Sequence, residues 1–91
     1  MVKRLKITVS GKVQGVYFRA TTETVATELE LTGFVRNEKN GDVYIEAQGR
    51  EEDLNKFIEW CRQGPQRANV EKTDVVEIPL KDENDFTIRR H

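Results

Sequence analysis

Apolar and polar positions alternate with two different periods along the chain. Period-two alternation is typical of a strand with one buried face, whereas apolar residues three and four positions apart are typical of a helix. The stretches predicted as strands are residues 5–9, 34–37, 43–47, 70–80 and 86–88. The helical spacing runs from residue 18 to 29 and again from 54 to 61.

Turn residues and charges mark the ends of these elements. Asn40-Gly41 is a favoured pair for a tight hairpin turn, because both positions tolerate a positive φ angle. Three carboxylates at residues 51–53 complement the dipole at the start of the second helix, and Gly64-Pro65 ends that helix. The resulting order is β-α-β-β-α-β with a short extra C-terminal strand. It predicts one α+β domain over residues 1–91, a ferredoxin-like sandwich with two helices on one face of an antiparallel sheet.

The composition indicates which kinds of partner and which cellular location to expect. The 15 lysines and arginines nearly balance the 16 aspartates and glutamates, and this balance argues against a nucleic-acid partner. No apolar run reaches membrane-spanning length, and the first residues lack the hydrophobic stretch of a secretion signal. One cysteine excludes an internal disulfide, and with one histidine it offers no metal cluster. We therefore expect a cytoplasmic monomer without a metal ion.

The stretch SGKVQGVYFR, residues 10–19, joins the first strand to the first helix. Its two glycines permit a tight turn and left-handed backbone conformations. If the helix begins near Phe18, its first N–H groups have no intrahelical partner and offer a seat for an anion. Arg19 adds a permanent cation with a forked set of donors. The pattern predicts a phosphate-binding loop, although a plain turn followed by an exposed arginine also fits it.

The predicted topology brings a second polar residue towards this loop. A βαβ crossover returns its second strand parallel to the first, so both strands end at the same edge of the sheet. Asn37 ends the second strand, and Arg19 lies near the start of the helix at that edge. An amide side chain has both a donor and an acceptor and can orient a water molecule. Taken alone, Asn37 also fits a simple strand-ending turn.

The string GKVQGVYFR, residues 11–19, resembles the signature loop of the acylphosphatase family. Further blocks resemble the family in the same order: LTGFVRN at 31–37, NGDV at 40–43 and EAQG at 46–49. Leu54, Phe57, Gly64-Pro65 and the string ANV at 68–70 continue the resemblance. It therefore spans nearly the whole chain.

This resemblance implies a hydrolase that cleaves acyl phosphates to a carboxylate and inorganic phosphate, without a metal or a cofactor. It implies that Arg19 binds the phosphate and that Asn37 orients the attacking water. The implied partner is a small-molecule acyl phosphate, with no nucleic acid and no membrane. The loop residues whose backbone amides would hold the phosphate oxygens are Gln14, Gly15, Val16, Tyr17 and Phe18.

The chain departs from the family pattern at two positions. Glu30 stands where the family often has glycine, and a non-glycine left-handed cap would cost about 1 kcal/mol, so we expect a turn that is either strained or built differently. Phe34 occupies a place where tryptophan is common. Both departures concern packing rather than the catalytic groups. Tyr17 falls at a variable position and is expected to shape the mouth of the pocket.

Two other interpretations remain open from the sequence. One is a non-catalytic ferredoxin-like binding module for a small anion or single-stranded RNA, which would need exposed strand aromatics for base stacking. The candidate aromatics are Phe34, Tyr44 and Phe86. The other is a detached relative of the acylphosphatase-like domain that begins certain carbamoyl-transferring maturation proteins.

Overall fold

The computed structural model describes residues 1–90, and its strands and helices follow the predicted order. The strands are β1 Val2–Lys12, β2 Thr32–Asn37, β3 Val43–Arg50, β4 Asn69–Ile78 and β5 Phe86–Arg89. The helices are α1 Phe18–Glu28 and α2 Glu51–Gln63. Neither helix has the length and apolar character needed to cross a membrane.

The five strands form one sheet in the order β4-β1-β3-β2-β5. β1 pairs antiparallel with β3 and β4, and β3 pairs antiparallel with β2. The predicted ferredoxin-like α+β fold is therefore confirmed. The extra strand β5 adds to the outer edge of β2 in parallel, so the complete sheet is mixed rather than wholly antiparallel.

The core lies between this sheet and the two helices. Leu5, Ile7 and Val9 of β1 are buried in it, as their alternation predicts. From α2, Leu54 and Phe57 pack into the same cluster. Other members of the predicted α2 stripe join them: Cys61, which is buried, and Ile58, which is partly buried. Burial raises the pKa of the Cys61 thiol, so this cysteine packs as a small apolar residue.

Within the predicted strand 70–80, the apolar residues at 76, 78 and 80 alternate, but they do not form the buried face of β4. Val76 is half exposed, and Leu80 lies beyond the end of the strand with 56% of its surface exposed. Val75 packs against the core instead, because it pairs with the buried Ile7 and paired residues project to the same face of a sheet.

β1 is longer than its alternation indicates. It continues through Gly11 and Lys12, which pair with β4 beyond a register shift between Ser10 and Gly11. Gly11 has φ 123°, and a Cβ atom there would lie 2.2 Å from the carbonyl oxygen of Asn69. This glycine therefore forms part of a β-bulge within the sheet. The loop before α1 consists of residues 13–17 only.

The hairpin between β2 and β3 forms where Asn40-Gly41 predicts it, but the turn is wider than a two-residue turn. The N–H of Gly41 donates to the carbonyl of Glu38 at 3.2 Å, and the N–H of Glu38 donates to the carbonyl of Asp42 at 2.8 Å. Gly41 has a positive φ of 99°, whereas Asn40 does not. Three residues thus form the turn, with the glycine in the position that favours left-handed backbone.

Candidate active site

A cavity of about 640 Å³ opens at the edge of the sheet where β1 and β2 both end. The two strands run in the same direction, because each pairs antiparallel with β3. Arg19, in the first turn of α1, and Asn37, the last residue of β2, both line this cavity. The crossover thus brings together the two side chains that the sequence singled out.

The loop at residues 13–17 is held in place on both sides. Val13 and Val16 are buried in the core, as is Phe18 at the start of α1. Tyr17 lies between two of these anchors with a left-handed φ of 62° and 76% of its surface exposed. A bulky residue in this conformation costs about 1 kcal/mol or more, so the surrounding packing maintains it.

Gln14 and Val16 direct their side chains away from the cavity. The Gln14 Nε2 group donates to the carbonyls of Glu38 and Asp42, each at 2.8 Å, and so ties the loop to the β2–β3 hairpin. Of the predicted loop residues, Gly15, Tyr17 and Phe18 line the cavity. The role predicted for all five residues belongs to their main-chain N–H groups. The directions of their side chains therefore do not test it.

The main-chain amides of this loop have no acceptor among the described residues. Across residues 1–90, no carbonyl or side chain accepts a hydrogen bond from the N–H groups of residues 14–18. Because main-chain N–H groups need a hydrogen-bond partner, these donors are available to an anion or to solvent. The start of α1 adds the positive end of its helix dipole at the same place.

Asn37 carries a polar atom that also lacks a partner. Its Oδ1 atom is buried and accepts no hydrogen bond from residues 1–90. A buried acceptor without a donor costs about 1–3 kcal/mol, so such an atom indicates a position where water or a ligand group binds. A water molecule beside Asn37 would satisfy this oxygen.

Arginines line the cavity, and among residues 1–90 no aspartate or glutamate does. Arg67, in the turn after α2, and Arg90, directly after β5, line it together with Arg19. None of the three forms an ion pair with a carboxylate of residues 1–90. The site is therefore locally positive in a protein whose formal net charge is −1.

Sequence reasoning missed Arg67 and Arg90. Arg90 reaches the cavity because β5 runs parallel to β2 with Arg36 opposite Arg89, so the residue after β5 comes beside Asn37 at the end of β2. The apolar alternation of residues 86–88 predicts a strand, but it does not predict which strand of the sheet it pairs with. Gly64-Pro65 predicts that Arg67 lies in a turn, but it does not predict where this turn lies relative to the loop at residues 13–17.

The chain is similar along nearly its whole length to proteins of one family. The family model described as Acylphosphatase matches residues 5–88. An acylphosphatase of Marinobacter nauticus is 49% identical over 82 residues, which cover 90% of this chain and 89% of that one. The structure of an acylphosphatase from Coxiella burnetii has a TM-score of 0.94 at 41% identity, covering 97% of this chain and 93% of that chain.

The crystal structure of acylphosphatase from Bacillus subtilis gives the same result. Its TM-score is 0.93 at 34% identity, and the match covers 98% of this chain and 99% of that chain. Similarity in sequence and in fold therefore extends over the loop, both helices and all five strands. The chain belongs to the acylphosphatase family.

Proposed function

We propose that the protein hydrolyses acyl phosphates to a carboxylate and inorganic phosphate, without a metal ion, at the cavity lined by Arg19 and Asn37. The observation that carries this proposal is the meeting of a guanidinium, an unpartnered amide oxygen and a loop with free main-chain N–H groups at one sheet edge. Membership of the acylphosphatase family supports the reaction class.

Arg19 and the loop amides would hold the phosphate group. A guanidinium presents parallel donors that match two phosphate oxygens, and charge-assisted hydrogen bonds of this kind are about twice as strong as neutral ones. The N–H groups of residues 14–18 would satisfy the remaining oxygens. Because phosphoryl transfer depends mainly on positioning and charge stabilisation, these fixed donors supply much of what the transition state needs.

Asn37 would orient the attacking water. Its Oδ1 atom lacks a donor among residues 1–90, so it can accept a hydrogen bond from water and direct an oxygen lone pair towards phosphorus. As the new P–O bond forms, the bond from phosphorus to the acyl oxygen breaks, and the carboxylate leaves with the electron pair. The carboxylate is stable near neutral pH and needs no general acid.

The proton of the water would pass to the substrate's own phosphate. Among residues 1–90, no residue that lines the cavity is a carboxylate, histidine or lysine. Arginine stays protonated and a carboxamide does not titrate, so neither can accept the proton. A phosphate oxygen is the group with a suitable pKa, so the product forms as dihydrogen phosphate, which can then release a proton to solvent.

The test is hydrolysis of benzoyl phosphate by the purified protein in the presence of excess chelator. We expect turnover to persist with chelator and to be far slower for a simple ester such as 4-nitrophenyl phosphate, whose leaving group is poorer. Loss of benzoyl phosphate hydrolysis on chelation would contradict metal independence.

Two variants test the roles of the site residues. We expect Arg19→Ala and Asn37→Ala each to lower kcat/KM by at least about a hundredfold, as removal of one preorganised donor does elsewhere. Circular dichroism and thermal unfolding check that both remain folded. Arg62→Ala is the matched control, because Arg62 is exposed on α2 and lies outside the cavity. Wild-type turnover in either folded site variant would refute the assignment.

The RNA-binding alternative has little support. Phe34 and Phe86 are buried, and the Arg89 guanidinium lies 3.9 Å from the Phe34 ring centroid. Tyr44 is partly buried, and its hydroxyl donates to Glu46 at 2.8 Å. None of these rings is free on the sheet surface for a base to stack on.

A further inference from the structure

We infer that this acylphosphatase prefers acyl phosphates whose acyl group carries a second anionic group, and that Arg67 and Arg90 bind that group. The inference rests on the proposed function, because it assigns the far end of the same substrate. It adds a specificity-determining pair to a site in which Arg19 holds the transferred phosphate.

The distribution of arginine partners supports this inference. Of the eight arginines, Arg4, Arg36, Arg50 and Arg89 pair with carboxylates. Within residues 1–90 the other four, Arg19, Arg62, Arg67 and Arg90, form no such pair. Three of these four converge on one cavity, and only Arg62 lies elsewhere. Of the aspartates and glutamates, all of which lie within residues 1–90, none lines the cavity.

The cavity has room for a substrate larger than acetyl phosphate. Its volume is about 640 Å³. At about 30 Å³ per molecule in the liquid, that is on the order of twenty waters. An acyl phosphate of a few carbon atoms fills a small part of this space. Arg67 and Arg90 belong to the lining of this same space.

Arg67 and Arg90 reach the cavity from elements other than the one that carries Arg19. Arg19 starts α1, next to the free loop amides, whereas Arg67 follows α2 and Arg90 follows β5. The loop amides and Arg19 already match one phosphate group. Two further arginines, in a cavity that no aspartate or glutamate of residues 1–90 lines, attract a second negative charge and raise the rate of encounter with a polyanionic substrate.

The experiment compares substrates that differ in charge and little else. The probes are 4-carboxybenzoyl phosphate and 4-carbamoylbenzoyl phosphate, together with the corresponding 3-substituted pair. The rigid ring prevents the carboxylate from attacking its own acyl phosphate, and the amide matches the carboxylate in size. At neutral pH and low ionic strength, we expect kcat/KM to favour the carboxylate of at least one pair by about tenfold. We expect 0.3 M salt to reduce this ratio.

The variants assign the preference to the two arginines. In the double variant Arg67→Gln and Arg90→Gln, we expect the carboxylate-to-amide ratio to fall to about one. Arg62→Gln is the control, and its ratio should match that of the wild type. A ratio near one in the wild-type protein for both pairs would overturn the inference, as would an unchanged ratio in the double variant. If the wild-type protein hydrolyses benzoyl phosphate but no member of either pair, the inference fails and the proposed function stands; if it does not hydrolyse benzoyl phosphate either, the proposed function itself fails.

Discussion

At the scale of single residues, the end of α1 shows how a non-glycine residue occupies a left-handed cap. Glu30 has φ 59°, so the turn keeps a left-handed cap with a non-glycine residue and is not built differently. Its N–H donates to the carbonyl of Thr27 at 3.0 Å, and the N–H of Leu31 donates to Ala26 at 2.9 Å. These two bonds form a Schellman motif, which satisfies the helix carbonyls and maintains the strained backbone.

Replacing Glu30 by glycine should therefore stabilise the protein. We expect Glu30→Gly to raise the free energy of unfolding by about 1 kcal/mol, because glycine has no Cβ to clash in the left-handed region. Urea denaturation followed by circular dichroism measures the change. Glu28→Gly, within the last turn of the same helix, is the control and should lower stability by about 1 kcal/mol. Destabilisation by Glu30→Gly would contradict this explanation of the cap.

At the scale of elements, the loop before α1 is fastened to a neighbouring hairpin through one side chain. The Gln14 amide group spans the carbonyls of Glu38 and Asp42, which lie at the two ends of the β2–β3 turn. The bond from the Glu38 N–H to the same Asp42 carbonyl keeps the two acceptors close together. The position of the loop amides thus depends on a hairpin that is not itself part of the cavity lining.

Removing this connection should impair catalysis more than folding. We expect Gln14→Ala to lower kcat/KM for benzoyl phosphate by about tenfold or more, because small misplacements of catalytic groups have large effects on rate. The free energy of unfolding should fall by about 1–2 kcal/mol. Gln63→Ala, at an exposed position of α2, is the control. Wild-type kinetics in Gln14→Ala would show that the loop keeps its shape without the hairpin.

Much of the fold is predictable from the sequence because period-two and helical spacing distinguish strands from helices directly. The meeting of Arg19 and Asn37 follows from the crossover rule, although 18 positions separate them. Three features did not follow. The role of Gly11 in a bulge depends on close contact with β4, and the left-handed φ of Tyr17 depends on its buried neighbours. The position of Arg90 depends on which strand β5 joins, and that pairing is a property of the sheet rather than of local pattern.

At the scale of the whole molecule, a buried ionic network fastens the segment between β4 and β5 onto the sheet. Arg4 is fully buried and bonds to Glu46 at 2.8–2.9 Å and to Glu83. Lys81 reaches Glu46 at 3.2 Å, and Tyr44 donates to the same carboxylate. Burial opposes ionisation of Glu46, but the bonds from Tyr44, Arg4 and Lys81 outweigh it and hold its pKa below the ordinary value.

This network makes stability depend on pH. A carboxyl group whose pKa is lower in the folded protein stabilises it above the unfolded-state pKa of about 4.3, and the contribution is lost as the pH falls through the folded value. For Tyr44, burial and the bond to Glu46 raise the pKa to about 12, so its hydroxyl group stays protonated from acidic to neutral pH.

Replacing Glu46 by glutamine tests that dependence. We expect Glu46→Gln to lower the free energy of unfolding by about 3 kcal/mol at pH 7, because it leaves the buried Arg4 with one fewer counter-charge. The difference in the free energy of unfolding between wild type and variant should be smaller in urea titrations at pH 3. Glu51→Gln removes an exposed pair with Lys3 and should change stability little at either pH. An equal gap at both pH values would mean that Glu46 acts through packing rather than charge.

The account as a whole depends on a phosphate group resting on the amides of residues 14–18 beside Arg19. Titration of the ¹⁵N-labelled protein with inorganic phosphate, followed through amide chemical shifts, measures this directly. We predict saturable shifts centred on residues 14–19, binding weakened at least tenfold in Arg19→Ala, and nearly wild-type phosphate binding in Asn37→Ala, since that residue would act on water. Shifts centred elsewhere, or equal phosphate affinity in Arg19→Ala, would contradict the central claim.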